Sequence, residues 1–298
     1  MPSSVLVPID GSEQSYGGLE YALTSFPDAT ITTLTVVDAG RERQQAGLDV
    51  GISRSWEERA RSKADRVQNR AREHADRHEI DIRTETSVGI PHREILDHVA
   101  GRDVDHVSIG SHGESPITHP FVGHVTEAVV RRAPVPVTVV PETADRIRSR
   151  ELPGDILAPV DGSEQSRAAL EYALAEFPDS TITALHVVEL PFEYAEERIA
   201  GTYLEEMLDD LRKEAERIVA DAEAVASDVG RDVSTAIEYG KPAREIVDGA
   251  ATRDVDQIVM GGHGRSTLAR LLLGSVAETV ARRTPVPVTL VRGRPSEP

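Results

Sequence analysis

The stretch "ILAPVDGSEQSRAALEYALAEFPDSTITALHVV" (Ile156–Val188) combines three structural patterns in one uninterrupted run. It opens with a short apolar segment typical of a buried strand, continues with apolar residues at helical spacing, and closes with the β-branched run "TITALHVV". Ser163 or a neighbouring residue is placed to cap the helix, and Pro178 limits its end. A strand, a helix and a second strand in this order predict a mainly parallel sheet covered by helices on both faces.

The same pattern occurs near the start of the chain, as "VLVPIDGSEQSYGGLEYALTSFPDATITTLTVV" (Val5–Val37). The offset of 151 residues also aligns Gly110 with Gly261, and "RRAPVPVTVV" with "RRTPVPVTLV". In a chain of 298 residues, this repeat predicts two α/β domains, at 1–142 and 153–293. The polar segment Pro141–Asp155 is the predicted linker.

Each copy is predicted to be a doubly wound, Rossmann-like domain with a five-stranded parallel sheet. Pro285 and Pro287 cannot donate to a strand ladder, so the last strand of the copy is expected at an edge of its sheet. An apolar edge strand in each copy invites pairing between the copies. We therefore expect an internal pseudo-dimer, and the sequence leaves open whether two chains associate further into a homodimer.

The composition restricts the class of function. The chain has no cysteine, which excludes disulfides and thiolate metal sites. Its 51 acidic and 33 basic residues give a net charge of −18, so binding to nucleic acid is not expected. No apolar run approaches the roughly 20 residues that span a bilayer, so we expect a cytoplasmic protein without a membrane partner. The acidic, lysine-poor composition is typical of salt-accumulating (halophilic) microbes, although an ordinary acidic surface is the alternative.

The stretch "GGHGRSTLARLLLGS" (Gly261–Ser275) follows the predicted fourth strand of the second copy. Glycine allows close approach of the backbone to a ligand. Gly274 and Ser275 stand at the start of the last helix, where unpaired amides and the helix dipole attract anions. Arg265 adds a cation in otherwise acidic surroundings. Because ligands of such sheets bind at the carboxyl ends of the strands, this pattern favours a phosphorylated ligand.

This spacing resembles the nucleotide-binding pattern of the universal stress protein family: glycine, two residues, glycine, nine residues, glycine, then serine or threonine. "PVDGSE" after the first strand, "LHVVE" at the second and the ending "PVPVTLV" are similar to the same family. The resemblance covers both copies and implies the strand order 3-2-1-4-5. It also implies ATP as the ligand, accompanied by Mg²⁺, in the second copy.

The ATP-binding members of the family imply roles for the matching positions. Asp161 would accept hydrogen bonds from the ribose, with Gly261 near the same sugar. Pro159, Val187 and Met260 would border the adenine, Val187 through its backbone. The phosphates would accept hydrogen bonds from the backbone amides of Gly264, Gly274, Ser275 and Val276. The hydroxyl of Ser275 would donate a further one.

The first copy departs from this pattern. It keeps Asp10 and the glycines at Gly110, Gly113 and Gly123, but His124 replaces the serine. Glu114 stands where Arg265 stands and would repel a phosphate. The remaining differences are the prolines Pro116 and Pro120, Thr35 in place of His186, and Ile109 in place of Met260. We expect the first site to be weak or empty.

Several of these residues also have purely structural interpretations. "SVAE" (Ser275–Glu278) matches a capping box, and Asp161 and Asp10 could simply order the turns that follow them. Met260 could be ordinary core filler. The pair His74 and His78 has the spacing of a helical metal site, but in its arginine-rich run it is interpreted as a solvated face.

The leading functional hypothesis is a nucleotide-binding stress or signalling protein that holds ATP in its second domain. No catalytic constellation and no protein metal ligands are identified, so at most slow ATP hydrolysis is expected. The alternative is a nucleotide-free scaffold for an unknown protein partner. An adenylate-transferring enzyme would need a pyrophosphate loop that "PVDGSEQS" does not provide.

Overall fold

The computed structural model describes residues 2–38, 53–112, 123–141, 154–190, 202–262 and 273–292. The chain divides into two compact units, Met1–Leu152 and Pro153–Pro298. No helix among the described segments is long and apolar enough to cross a membrane.

The first unit alternates strands with helices. Its strands are β1 (Ser4–Pro8), β2 (Thr30–Val37), β3 (Ile82–Val88), β4 (His106–Gly110) and β5 (Val137–Val140). Its helices are α1 (Glu13–Ser25), α2 (Ser53–Arg77), α3 (Pro91–Gly101) and α4 (His124–Arg132).

The second unit repeats this order. Its strands are β6 (Asp155–Pro159), β7 (Thr181–Val188), β8 (Ser234–Tyr239), β9 (Gln257–Gly261) and β10 (Val288–Val291). Its helices are α5 (Glu164–Glu176), α6 (Thr202–Asp228), α7 (Pro242–Thr252) and α8 (Ser275–Arg283). The sequence predicts a helix from about residue 193, and the part before Thr202 lies outside the described residues.

Both units contain a parallel sheet with the predicted strand order. The first unit has the order β3-β2-β1-β4-β5, and the second has β8-β7-β6-β9-β10. All the strand pairs within each unit are parallel. β1 is a central strand, and Val5, Leu6 and Val7 are at most 1% exposed, as its apolar sequence predicts. The doubly wound fold is confirmed, while the pairing of the two units stays a prediction.

The first helix of each unit begins as the sequence predicts. Ser12 caps α1 and Ser163 caps α5, each accepting a hydrogen bond from the backbone N–H three residues later. The cap satisfies one of the amides that a helix start leaves without an intrahelical partner. It also fixes where the preceding loop turns into the helix, and in the second unit this loop carries Asp161.

Candidate functional site

The strand order of the second unit reverses between β6 and β9. The chain leaves β6 towards β7 on one side, and it leaves β9 towards β10 on the other. Ligands of open parallel sheets bind in the crevice at the carboxyl ends of such strands. The β6–α5 loop, the end of β9 and the start of α8 therefore define the candidate site.

Asp161 lies two residues beyond β6 and is partly exposed. Its Oδ1 accepts a hydrogen bond of 2.9 Å from the N–H of Ser163. The Asx-turn interpretation is therefore confirmed for this residue. A carboxylate offers about four acceptor positions on two oxygens, so the turn is compatible with a further hydrogen bond from a ligand.

The end of β9 approaches α5 very closely. A Cβ added at Gly261 would lie 3.0 Å from the backbone carbon of Gln165, so only glycine fits there without a shift. Met260 is 5% exposed and belongs to the core, as its structural interpretation states. Gly262 donates its N–H to Val291 O and accepts from the N–H of Gly274, both across 2.9 Å. These bonds place the start of α8 beside the end of β9.

The capping-box prediction for "SVAE" is wrong. Gly274 is the N-cap residue of α8, with φ −64° and ψ 143°, and no side chain caps the helix. Ser275 is therefore the first helical residue, and it is exposed. The amides of Ser275, Val276 and Ala277 have no intrahelical acceptor because of their positions in the helix. The N–H of Gly274, by contrast, is already committed to Gly262.

The opposite wall of the site is formed by β7 and the end of β6. Val187 and Pro159 are both partly exposed, so both have surface available for a ligand. His186 is 9% exposed, and its Nδ1 lies 2.7 Å from Val160 O. The structure thus places seven of the predicted residues around one edge of the sheet: Pro159, Asp161, Val187, Gly261, Gly274, Ser275 and Val276. Gly264 and Arg265 lie outside the described residues, and the roles of all these positions stay predictions.

The first unit has the same framework with different side chains. Asp10 Oδ1 accepts from both the N–H and the Oγ of Ser12, at 3.0 and 2.6 Å. Gly123 N–H donates to Ser111 O across 2.8 Å, and the exposed His124 is the first residue of α4. Gly113, Glu114, Pro116 and Pro120 lie outside the described residues.

Sequence reasoning missed a polar cluster between α1 and α2, formed by Glu20, His74, Arg77 and His78. The carboxylate of Glu20 lies 2.5 Å from His74 Nδ1 and 2.7 Å from His78 Nε2. His74 is only 5% exposed and stacks on Tyr16 with the ring centroids 5.0 Å apart. The interpretation of His74 as part of a solvated face is therefore wrong.

This cluster lines a cavity of about 480 Å³. The cavity is lined only by charged or titratable side chains: Glu13, Glu20, Arg70, Glu73, His74, Arg77 and His78. No group of three or more His, Cys, Asp or Glu side chains within the described ranges is arranged to hold a metal ion. The basic and acidic side chains pair with one another, so the cluster has the character of an ion-pair network between two helices.

Comparison with known proteins establishes the family. A model of the universal stress protein family matches residues 1–141 and, a second time, residues 154–292. The chain therefore belongs to the universal stress protein family and contains two tandem copies of its domain.

Relatives in the family match one copy or the whole chain. Universal stress protein MJ0531 of Methanocaldococcus jannaschii is 34% identical over 140 residues, which are 46% of this chain and 81% of the relative. A universal stress protein of Mycolicibacterium smegmatis is 27% identical over 300 residues, 97% of each chain. The crystal structure of a universal stress protein from Archaeoglobus fulgidus has the same fold, with a TM-score of 0.70 at 24% identity over 97% of this chain and 98% of that one.

Proposed function

We propose that the second unit binds ATP, with Mg²⁺, at the carboxyl edge between β6 and β9, and that the protein acts as a nucleotide-dependent stress or signalling protein. The observation that carries the proposal is the first turn of α8, which no side chain caps although it adjoins the strand crossover point. A serine at the N-cap would have occupied one of these donors. Gly274 leaves the donors of the first turn for an external anion.

The electrostatics of the chain make this local arrangement necessary. With a net charge of −18, the protein as a whole repels a triphosphate. The N-terminal end of a helix carries a partial positive charge of about half an elementary charge, and its effect is confined to the first turn. Arg265 would add a full positive charge from the glycine-rich segment. The phosphates are therefore expected at α8 rather than elsewhere along the edge.

The remaining parts of the edge suit the rest of the ligand. The partly exposed carboxylate of Asp161 is an acceptor for the ribose hydroxyls. Val187 and Pro159 offer apolar surface to a purine. Mg²⁺ would be held by the phosphate oxygens, because it keeps several waters and needs few protein ligands.

Binding is proposed to act without substantial turnover. The groups that this proposal assigns to the phosphates are backbone amides, a serine hydroxyl and a guanidinium, and none of these activates a water as a base. We expect phosphate release below about one per minute, against the roughly 10 per second of a typical enzyme. Faster release would contradict this part of the proposal.

The test is a calorimetric titration of the full chain with ATP and Mg²⁺ in molar KCl, where the Debye length is about 3 Å. One binding site is expected. Ser275→Asp should weaken ATP at least tenfold, because a carboxylate at the first helical position repels the phosphates. The same carboxylate interacts favourably with the helix dipole, so the variant should keep its folded stability.

His124→Asp is the matched control, because it introduces the same carboxylate at the first helical position of α4 in the first unit. It should leave the affinity unchanged. A wild-type chain that neither binds ATP nor carries nucleotide through purification would overturn the proposal in favour of the scaffold alternative. An unchanged affinity in Ser275→Asp would show that the start of α8 does not bind the phosphates.

A further inference from the structure

One peptide group of the second unit is held from both of its ends. His186 Nδ1 lies 2.7 Å from the carbonyl oxygen of Val160, and the N–H of Asp161 lies 3.3 Å from Ser166 Oγ. The carbonyl of Val160 and the N–H of Asp161 belong to the same planar peptide group. Its orientation is therefore fixed by a strand on one side and by a helix on the other.

The chemistry of the contact determines which atom donates. A backbone carbonyl can only accept, so Nδ1 of His186 carries the proton and donates to Val160 O. The N–H of Val160 in turn donates to Leu185 O across 2.9 Å. Val160 is thus attached to two consecutive residues of β7. Both His186 and Val160 are buried, where such hydrogen bonds are poorly replaced by water.

The first unit has no histidine at the matching position to donate to the carbonyl of the equivalent peptide group. Thr35 occupies the position of His186, and its hydroxyl accepts a hydrogen bond of 2.8 Å from Gln68 of α2. The other end of the peptide is similar in the two units, because the N–H of Asp10 lies 3.4 Å from Ser15 Oγ. The histidine contact therefore distinguishes the unit whose motif ends on serine from the unit whose motif ends on His124.

We propose that His186 is a positioning residue that aims the carboxylate of Asp161 at a vicinal diol, so that the site selects ribonucleotides over nucleotides without ribose hydroxyls. This inference rests on the proposed nucleotide site and deepens it. His186 acts through the Val160–Asp161 peptide and does not touch the ligand. His186 also directly precedes Val187 in β7. The same strand therefore holds the residue that orients Asp161 and the residue that borders the base.

The experiment compares Mg²⁺-ATP with Mg²⁺-2′,3′-dideoxy-ATP on the wild type and on two variants. The wild type is expected to prefer ATP at least tenfold. In His186→Thr, which installs the residue of the first unit, ATP should weaken about tenfold while the dideoxy compound is unchanged. His186→Asn should keep most of the preference, since its amide N–H can replace Nδ1–H.

The outcomes separate the two proposals. A wild type that binds neither compound overturns the nucleotide site itself. A wild type that binds both equally, or a His186→Thr variant that weakens both by the same factor, leaves the site standing and overturns the positioning role. Loss of the preference in His186→Asn as well as in His186→Thr also overturns it. Should His186→Thr be too unstable to titrate, His186→Leu fills the buried volume without a donor and takes its place.

Discussion

Glu20 of α1 and His74 of α2 are joined by a hydrogen bond of 2.5 Å, and their side chains are only 6% and 7% exposed. Burial alone would raise the pKa of Glu20, but the hydrogen bonds from His74, His78 and Arg77 outweigh it and lower this pKa to about 2. The corresponding positions of the second unit hold the exposed Glu171 and the buried Val225. The polar contact between the two helices is thus specific to the first unit.

Glu20→Gln is expected to lower the free energy of unfolding by about 3 kcal/mol at neutral pH, because it removes the charge that His74, His78 and Arg77 share. Glu171→Gln is the matched control. Its partner Arg167 is exposed, so the change should stay within about 0.5 kcal/mol. Urea unfolding in a fixed concentration of KCl measures both.

The pH dependence gives the same residue a second test. A carboxyl group whose folded pKa is depressed stabilises the fold above its unfolded pKa of 4.5, and this contribution is lost as the pH falls from 4.5 towards 2. The Glu20→Gln variant should therefore show a flatter stability profile in this range. Parallel profiles would show that Glu20 does not titrate as inferred.

His106 should make the first unit sensitive to mild acid. Complete burial lowers the pKa of His106 to about 3, so protons bind to the unfolded chain from pH 6.5 downwards and destabilise the fold. Between pH 6.5 and pH 5, this effect amounts to about 1.5 kcal/mol. Gln257 occupies the equivalent position of the second unit, so His106→Gln is expected to fold and to lose this dependence. The check is the difference between the two stability profiles in that interval.

Glu79 adopts a left-handed conformation that glycine occupies in the second unit. Its φ is +57°, and that of Gly230, at the equivalent position after α6, is +72°. Glu79→Gly is expected to stabilise the protein by about 0.5–1 kcal/mol. Gly230→Ala should destabilise it by about 1 kcal/mol through the backbone alone, because a Cβ there would meet no atom within 4 Å. Thermal unfolding of the two variants should shift in opposite directions.

The first unit should gain affinity for nucleotide when its departures from the motif are reversed. The variant Glu114→Arg with His124→Ser restores a cation and a hydroxyl at the positions of Arg265 and Ser275. We expect the number of ATP molecules bound per chain to rise from one towards two in calorimetry, since the framework around Asp10 and Gly123 is already present. An unchanged stoichiometry would mean that other residues of the first unit block the site.

The sequence predicts the fold well because its strongest patterns are local. The apolar runs of β1 and β6, the serines that cap α1 and α5 and the prolines before β10 each act within a few residues. The repeat then confirms each element twice within one chain. The strand order came instead from the family resemblance, because parallel pairing joins segments that local patterns do not connect.

The two wrong interpretations have identifiable physical causes. The buried His74 has Glu20 as its partner, and Glu20 lies 54 residues away in the sequence. A local pattern shows only the arginines around His74 and therefore predicts an exposed face. Serine and glycine both serve at the N-cap, and serine is the better choice by propensity. In α8 the N-cap residue is Gly274, whose N–H donates a hydrogen bond to Gly262 O, and Ser275 becomes the first helical residue.

In each unit the fourth strand of the sheet lies very close to the first helix at the opening glycine of the motif. This close contact affects what the presence of that glycine indicates. A methyl group at Gly110 would come within 2.5 Å of Gln14 O, and one at Gly261 would make a tight but less severe contact of 3.0 Å with the backbone carbon of Gln165. Interior packing thus requires the opening glycine in the first half, where His124 stands in place of the serine, and favours it in the second. The presence of this glycine therefore reports on the packing of a helix against a sheet, and the proposed nucleotide site is tested at the positions that close the pattern.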